Sequence, residues 1–258
     1  MQELRDTLTF ENPLFYEPGE IEPEDLIEFI LNKLHIENNH NNNSFVKLYS
    51  LVDNQNIFDR KLILNDYIVN FVNYNKSFIS NLFFGTFELE KLCSNCNVKR
   101  FYFESFSYLS FDINQAIQYG LNPNDNNFIF NCFQNQLSNL IDKITFCPKC
   151  NQQTIHQEKK LIYSFPNNLI ISIKYEGENM EKININYPLQ MNLSCEVKKD
   201  TYKLKGLIKK NINNENKYFI AIYEENLQWF VSDGSTFEKI NTPLLHNIGK
   251  VVILFYTS

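Results

Sequence analysis

Cys93-Ser94-Asn95-Cys96 and Cys147-Pro148-Lys149-Cys150 are two CxxC pairs, and what they hold together decides the fold. A CxxC turn lets two thiolates reach one ion, and two such turns complete a tetrahedral, all-sulfur Zn²⁺ site. Four sulfurs close the coordination sphere, so no position remains for water and the metal supports structure without chemistry. Redox-active thiols are the competing reading. Two pairs, each at a turn between β-prone runs, favour one structural zinc on Cys93, Cys96, Cys147 and Cys150.

The flanks suit a ribbon. Phe83-Phe84-Gly85-Thr86-Phe87 leads into the first pair and Phe101-Tyr102-Phe103 leaves it, aromatic runs of high β propensity. Phe106 to Ile113 reads as a further strand, 114–127 as a polar stretch, and Phe128 to Leu140 as a helix running to the second pair. Upstream, 1–22 reads as extended or loop, because Asn12-Pro13 and Pro18-Gly19 punctuate it. Pro23-Glu24-Asp25 then opens a helix with a proline and acidic residues suited to a first turn, followed by Leu26, Ile27, Phe29, Ile30, Leu31 and Leu34 at helical spacing. His35 ends that helix, where a cation suits the dipole. Asn38 to Asn43, with His40 inside it, is a polar loop, and Tyr67 to Val72 fits either helix or strand. Downstream, Leu169 to Tyr175, Tyr202 to Ile208, Tyr218 to Tyr223, Trp229 to Ser232 and Val251 to Tyr256 are strands. The expected class is α+β, with a helical N-terminal part, a zinc segment inserted after it, and one antiparallel sheet in the C-terminal third.

Composition narrows the function. With 43% hydrophobic and 15% aromatic residues, including 23 Phe and 14 Tyr, the 258-residue chain can build a core rich in strands. A formal charge of −6 supplies no basic footprint for nucleic acid. Four of six cysteines in CxxC pairs point to a reducing compartment and a metal. The segment Met1-Gln2-Glu3-Leu4-Arg5 lacks the apolar centre of a signal peptide, and no apolar run reaches the ~18 residues of a membrane helix. A soluble, cytoplasmic or nuclear protein without membrane or nucleic-acid partners is expected.

In order and spacing these features resemble the ubiquitin-specific protease family. Pro23-Glu24-Asp25-Leu26-Ile27-Glu28-Phe29 is similar to its QQDAHEF helix at Asp25, Glu28 and Phe29. Phe106 to Ile113 is similar to its F..LSLDI strand, and Pro166 to Tyr175 to LP..L.I.LKRF, with Lys174 kept and Tyr175 in place of Arg. Asn186-Tyr187-Pro188-Leu189, Tyr202-Lys203-Leu204, Trp229-Phe230-Val231-Ser232-Asp233 and Ile253-Leu254-Phe255-Tyr256 resemble V.FP..L, Y.L, WY.FDD and YLLFY. The resemblance implies a papain-like cysteine-protease fold of thumb, fingers and palm. It implies a single domain over 1–258, with a truncated N-terminal thumb over 1–80, zinc-ribbon fingers over 81–165 and an antiparallel palm sheet over 166–258.

The catalytic positions depart from the family. Cysteine proteolysis needs a thiolate activated by an imidazole that a third group orients. The family cysteine lies in a GNTCY motif before the QQDAHEF helix, and no cysteine precedes Pro23 here. The family histidine lies in a GHY motif; the matching stretch is Asn216-Lys217-Tyr218, with Lys217 at the histidine position. A lysine near its ordinary pKa is no general base at pH 7. The third member remains as Asp233, followed by Gly234 where the family has a second Asp. Asp233 reads as a turn residue, or as a vestigial partner of Lys217. Cys132 and Cys195 read as core or edge thiols, His156 as a surface residue and His246 as a loop residue. No intact catalytic set follows.

Three functions are therefore open. The first is a catalytically degenerate, non-catalytic module that binds ubiquitin, a ubiquitinated protein or other protein partners of a complex. The second is an active, thiol-dependent ubiquitin C-terminal hydrolase whose Cys-bearing segment lies outside this sequence. The third is an unrelated zinc-ribbon protein that binds nucleic acid.

Overall fold

The computed structural model describes residues 2–12, 15, 21–39, 59–138, 140–175, 183–213, 216–245 and 249–258, with 2–5, 135–138, 211–213, 216–218 and 245 described by backbone alone. Four helices come first: α1 (Gln2–Glu11), α2 (Pro23–Glu37), α3 (Arg60–Tyr74) and α4 (Phe78–Phe83). Then follow β1 (Gly85–Cys93), β2 (Lys99–Phe106), β3 (Leu109–Asp112), α5 (Ile113–Gln118), α6 (Phe128–Ser138), β4 (Ile141–Cys147) and β5 (Gln152–Ser164). The chain closes with β6 (Asn168–Lys174), β7 (Gln190–Ser194), β8 (Lys199–Asn213), β9 (Asn216–Glu225), β10 (Gln228–Ser232), β11 (Phe237–Ile240) and β12 (Lys250–Thr257). The α+β class is as expected from the sequence.

Local chemistry explains several boundaries. Pro23 opens α2 with Glu24 and Asp25 in its first turn. Asp59 caps α3 by accepting from the N–H groups of Lys61 and Leu62, at 2.8 and 3.4 Å. Ser77 and Ser80 form a reciprocal capping box on α4. The residues 67–72, ambiguous in sequence, are helical because Ile63 and Tyr67 bury one face of α3 against Phe103 of β2. Two expectations fail near these helices. The segment Gln2–Glu11 is helical and stops just before Asn12-Pro13, so the proline ends a helix that 1–22 was not expected to contain. Ile113–Gln118 is also helical, started by Asp112, whose side chain accepts from the Asn114 N–H.

The strands form two sheets. The larger runs β11-β10-β9-β8-β12-β6-β3, with β7 also paired to β8. Its pairings are antiparallel except at one edge, where β3 joins β6 in parallel with Leu109 beside Ile171. A strand from before the second cysteine pair thus belongs to the C-terminal sheet, which is mixed rather than purely antiparallel. Every residue from Leu169 to Ile173 is buried, because both faces of β6 are covered. On one face Leu169, Ile171, Leu204, Leu207, Ile222, Leu254 and Tyr256 meet Phe128, Ile129 and Phe133 of α6. On the other, Ile170, Val252 and Ile253 meet Leu31 of α2 and Ile79 of α4. Each fully buried aliphatic side chain here contributes ~1.5–3 kcal/mol of transfer free energy.

The smaller sheet has the order β2-β1-β5-β4 and is antiparallel throughout. Near the helices it is apolar, with Phe87 and Phe106 joining the main core. Gly85 is needed where β1 departs: a Cβ there would sit 2.3 Å from the Phe106 ring and 2.8 Å from the Ser164 carbonyl. Farther out the sheet turns polar, and Ile144, Phe146 and Ile155 are exposed. No strand range matching β4, β5, β7 or β11 was expected from the sequence, and the segment 81–165 contributes strands to both sheets.

Candidate metal centre and the positions expected to be catalytic

Both hairpins of the smaller sheet turn at the same end. β1 delivers Cys93 and the following turn delivers Cys96; β4 delivers Cys147 and its turn delivers Cys150. The central pairing of β1 with β5 sets the hairpins side by side, with Cys93 across from His156. The two turns share a conformation: the residue after each second cysteine, Asn97 or Asn151, has a positive φ of 55° or 53°. Asparagine is among the few residues that tolerate this left-handed backbone. The reason each CxxC is followed by asparagine is thus conformational.

The four sulfurs lie within 4.8 Å of one another, and all four thiols are free. Cys96 and Cys147 are 3.6 Å apart and Cys93 and Cys150 3.9 Å, across the two hairpins. A tetrahedron with metal–sulfur bonds of ~2.3 Å has edges of about 3.8 Å, so the spacing fits a metal and exceeds a disulfide bond by far. The donor set matches a soft or borderline cation such as Zn²⁺. Charge makes the same point. Burial opposes ionisation of Cys93, but hydrogen bonds with Thr154 and with the backbone of Cys96 and Asn95 prevail and lower its pKa to about 5. Cys150 is pushed up to about 12 by desolvation and by the sulfurs of Cys96, Cys147 and Cys93, against a hydrogen bond from Asn95. Four clustered thiols cannot all lose their protons unless a cation shares the space.

His156 is the residue that sequence reasoning misplaced here. It is fully buried, since it lies on the central strand β5 between Cys93 of β1 and Lys143 of β4. Its Nδ1 is 2.8 Å from the Thr145 hydroxyl and 3.1 Å from the Thr154 carbonyl. Beside it Glu158, also buried, takes Lys91 and Lys143 at 2.5 and 2.7 Å, which hold its carboxyl below the usual range against desolvation. The other histidine in the described core is His35, expected to be a cation at a helix end. Instead it is enclosed between α2 and α4, with Nδ1 2.5 Å from the Ser77 hydroxyl and Nε2 3.3 Å from Asn75 Oδ1. Desolvation lowers its pKa, so the ring is neutral and serves as a packing and hydrogen-bonding group. His40 and His246 lie outside the described residues.

Asp233 begins the turn between β10 and β11. One carboxylate oxygen accepts four hydrogen bonds, from the N–H and hydroxyl of Ser235 and the N–H and hydroxyl of Thr236, at 2.7–3.0 Å. Those donors hold its pKa well below the ordinary carboxylate value. Gly234 beside it has φ of +90°, which the turn requires. Lys217 is the second residue of β9, its backbone in register with Ile212 of β8. Its side chain, and therefore any pairing with Asp233, lies outside the description. Cys132 is a core thiol pushed up to about 12 by burial. Cys195 sits half-buried between β7 and β8, and its thiol donates to the Lys198 carbonyl at 3.4 Å.

The helix and strands that carry the resemblance meet in one place. The Tyr108 hydroxyl donates to Glu28 at 3.1 Å, Lys174 pairs with Glu24 at 3.3 Å, and the Ser172 hydroxyl also donates to Glu24. Segments distant in sequence are thus joined through the side chains of α2.

Comparison with known proteins agrees. The sequence matches the family model described as ubiquitin carboxyl-terminal hydrolase over residues 2–256. No curated protein sequence matches the chain. Among solved structures, the SAGA Ubp8/Sgf11/Sus1/Sgf73 DUB module bound to ubiquitin aldehyde has a similar chain, with a TM-score of 0.65 and 18% identity over 98% of this chain and 52% of that one. A yeast SAGA DUB module carrying an Sgf73 mutant gives a TM-score of 0.57 at 18% identity, over 76% and 49%. The Ubp8 module bound to monoubiquitin gives 0.56 at 19% identity, over 76% and 46%. The chain therefore spans about half the length of the solved chains it resembles. The family match sets aside the reading of the four cysteines as an unrelated nucleic-acid-binding ribbon. Among the described residues, no helix is long and apolar enough to cross a membrane.

Proposed function

We propose, for a chain that belongs to the ubiquitin carboxyl-terminal hydrolase family, that it acts as a non-catalytic module that binds ubiquitin or another protein through a sheet held by one structural zinc ion. The observation that carries this reading is Lys217 at the head of β9, where the family motif has histidine. Thiol activation needs a neutral imidazole that accepts a proton at pH 7. An ammonium with an ordinary pKa near 10.4 has no lone pair to offer there. Asp233 supports the same reading, because its carboxylate is engaged by the turn it begins.

The fold supports the binding half of the proposal. The larger sheet, with helices against both faces, provides a stiff base from which the smaller sheet projects. The cysteine cluster stands at the far end of that projection, where the apolar core has run out. In the solved relatives, modules of this fold are found with ubiquitin aldehyde and with monoubiquitin. By analogy, the smaller sheet is where the globular body of ubiquitin would rest.

The second reading, an active hydrolase with its thiol in further sequence, is favoured by one fact: the chain spans about half of its structural neighbours. A ubiquitin C-terminal fluorogenic conjugate separates the two. We expect no hydrolysis by this chain alone or when joined to a Cys-bearing family segment, and saturable shifts when labelled ubiquitin is titrated. Hydrolysis by the joined protein at rates ordinary for the family would establish the second reading. Absence of any shift at millimolar ubiquitin would remove ubiquitin as the partner.

A further inference from the structure

The sulfur cluster is wired to polar groups beyond its four cysteines. The Thr154 hydroxyl lies 3.3 Å from Cys93 Sγ, and the Asn95 amide nitrogen lies 3.4 Å from Cys150 Sγ. The Cys150 N–H faces Cys147 Sγ at 3.5 Å. Thr154 is itself held from behind, because His156 Nδ1 meets its carbonyl at 3.1 Å and the Thr145 hydroxyl at 2.8 Å. We propose that Thr154 and Asn95 are outer-sphere ligands of the metal, donating hydrogen bonds to the thiolates of Cys93 and Cys150 and so setting the affinity of the site. The proposal rests on the reading of the cluster as a zinc site.

The argument is one of charge and burial. Zn²⁺ on four thiolates leaves a net charge of about −2 on the site. Cys93 and Cys147 are each only 1% exposed and Cys96 and Cys150 are half-buried, so water covers only part of that charge. Desolvated charge needs donors aimed at it. A metal-bound thiolate carries no proton, which settles the direction of the contacts: the Thr154 hydroxyl and the Asn95 amide must donate. Each hairpin contributes in a crossed fashion. Asn95 lies in the turn of the first cysteine pair and reaches a sulfur of the second, while Thr154, just after the second pair, reaches a sulfur of the first. The contacts therefore fix one hairpin against the other as well as balancing charge. His156 acts one step farther out as a positioning residue, since its ring holds the Thr154 backbone.

Outer-sphere partners of metal ligands typically carry about 10–100-fold in metal affinity. The test is zinc affinity of the whole chain, measured by competition with a chromophoric chelator at fixed pH. Thr154→Val keeps the shape and removes the hydroxyl, and we expect it to weaken zinc binding about 10–100-fold. Thr154→Ser keeps the donor and should restore binding to near that of the parent. Asn95 is exposed, so its variants fold whatever becomes of Thr154→Val. Asn95→Asp, isosteric but with an acceptor where a donor is needed, should bind zinc more weakly than Asn95→Ala. A parent chain that binds one zinc while Thr154→Val binds equally tightly, or Asn95→Asp binding as tightly as Asn95→Ala, overturns the inference. A parent chain that binds no zinc overturns the reading on which it rests.

Discussion

The two sheets of this molecule are held together by different physics. In the larger one, β6 and β12 are buried on both faces, and packing of Leu169, Ile171, Leu254 and Tyr256 against helices supplies the stabilisation. The smaller sheet is comparable in strand length but has an apolar core only at its base. Its outer half relies on Glu158 with Lys91 and Lys143, Glu90 with Lys99, and the cysteine cluster. The lysines of these pairs reach solvent while Glu158 is buried, and pairs open to water on one side contribute little, typically 0–1 kcal/mol each. A slender sheet held mainly by such pairs needs a cross-link. The larger sheet needs none.

The largest expected effect exploits that asymmetry. Structural zinc supplies on the order of 10 kcal/mol to small zinc-dependent units. Chelation, or Cys96→Ser, should strip amide protection from β1, β2, β4 and β5 while β6, β8 and β12 stay protected. Hydrogen exchange followed by mass spectrometry reads both sheets in one sample. Loss of protection in both sheets together would show that they fold as one cooperative unit and erase the contrast.

The complementary change comes next in size. Leu254 is fully buried in the middle of β12, beside Ile171 on β6 and Leu207 on β8. Leu254→Ala should cost about 2–5 kcal/mol by lost burial and the cavity left behind. Urea unfolding monitored by the single Trp229, which sits on β10 of this sheet, measures it. Zinc stoichiometry of the folded fraction should be unchanged. A lowered midpoint with zinc retained sharpens the comparison; a lowered stoichiometry blurs it.

The same contrast governs what could be read from the sequence. The cysteine cluster was legible because ligand identity and spacing are local properties of the chain, and the CxxC turns needed no knowledge of their surroundings. β6 and β12 were legible because burial on both faces leaves a nearly continuous apolar run, interrupted in β6 by Ser172 alone. β5 was not, since Gln152–Ser164 is rich in polar residues that become half-buried only beside β1 and β4. The parallel pairing of β3 with β6 joins residues too far apart for any local pattern to announce it. α1 was masked by two proline-containing pairs that mark where a helix stops but say nothing of what precedes them. His35 and His156 were misplaced for one reason: each was read from its own segment, a helix end or the stretch after a CxxC pair, and burial was decided by elements that pack on them from elsewhere. Lys217 and Asp233 were found by alignment to a motif, a resemblance that identifies positions without supplying their geometry.

His35 gives the smallest effect and the one that best isolates the helical layer. Burial lowers its pKa below 6.5, so the folded protein keeps the ring neutral at pH values where the unfolded chain takes up a proton. A group depressed in this way leaves stability at its full value above the unfolded pKa and erodes it as pH falls from 6.5 towards the folded value. The slope cannot exceed about 1.4 kcal/mol per pH unit for one proton. Unfolding free energy should therefore decline between pH 6.5 and 5.5, and His35→Gln, which retains a hydrogen-bonding side chain but cannot titrate, should flatten that decline. Protonation would place a charge between α2 and α4, next to the face of Phe84, with two neutral acceptors, Ser77 Oγ and Asn75 Oδ1, facing the ring nitrogens. Exchange protection should accordingly fall first in α2 and α4. If acidification over this range weakens the smaller sheet first and leaves these helices protected, the metal cluster and not His35 is the pH-sensitive part of the molecule.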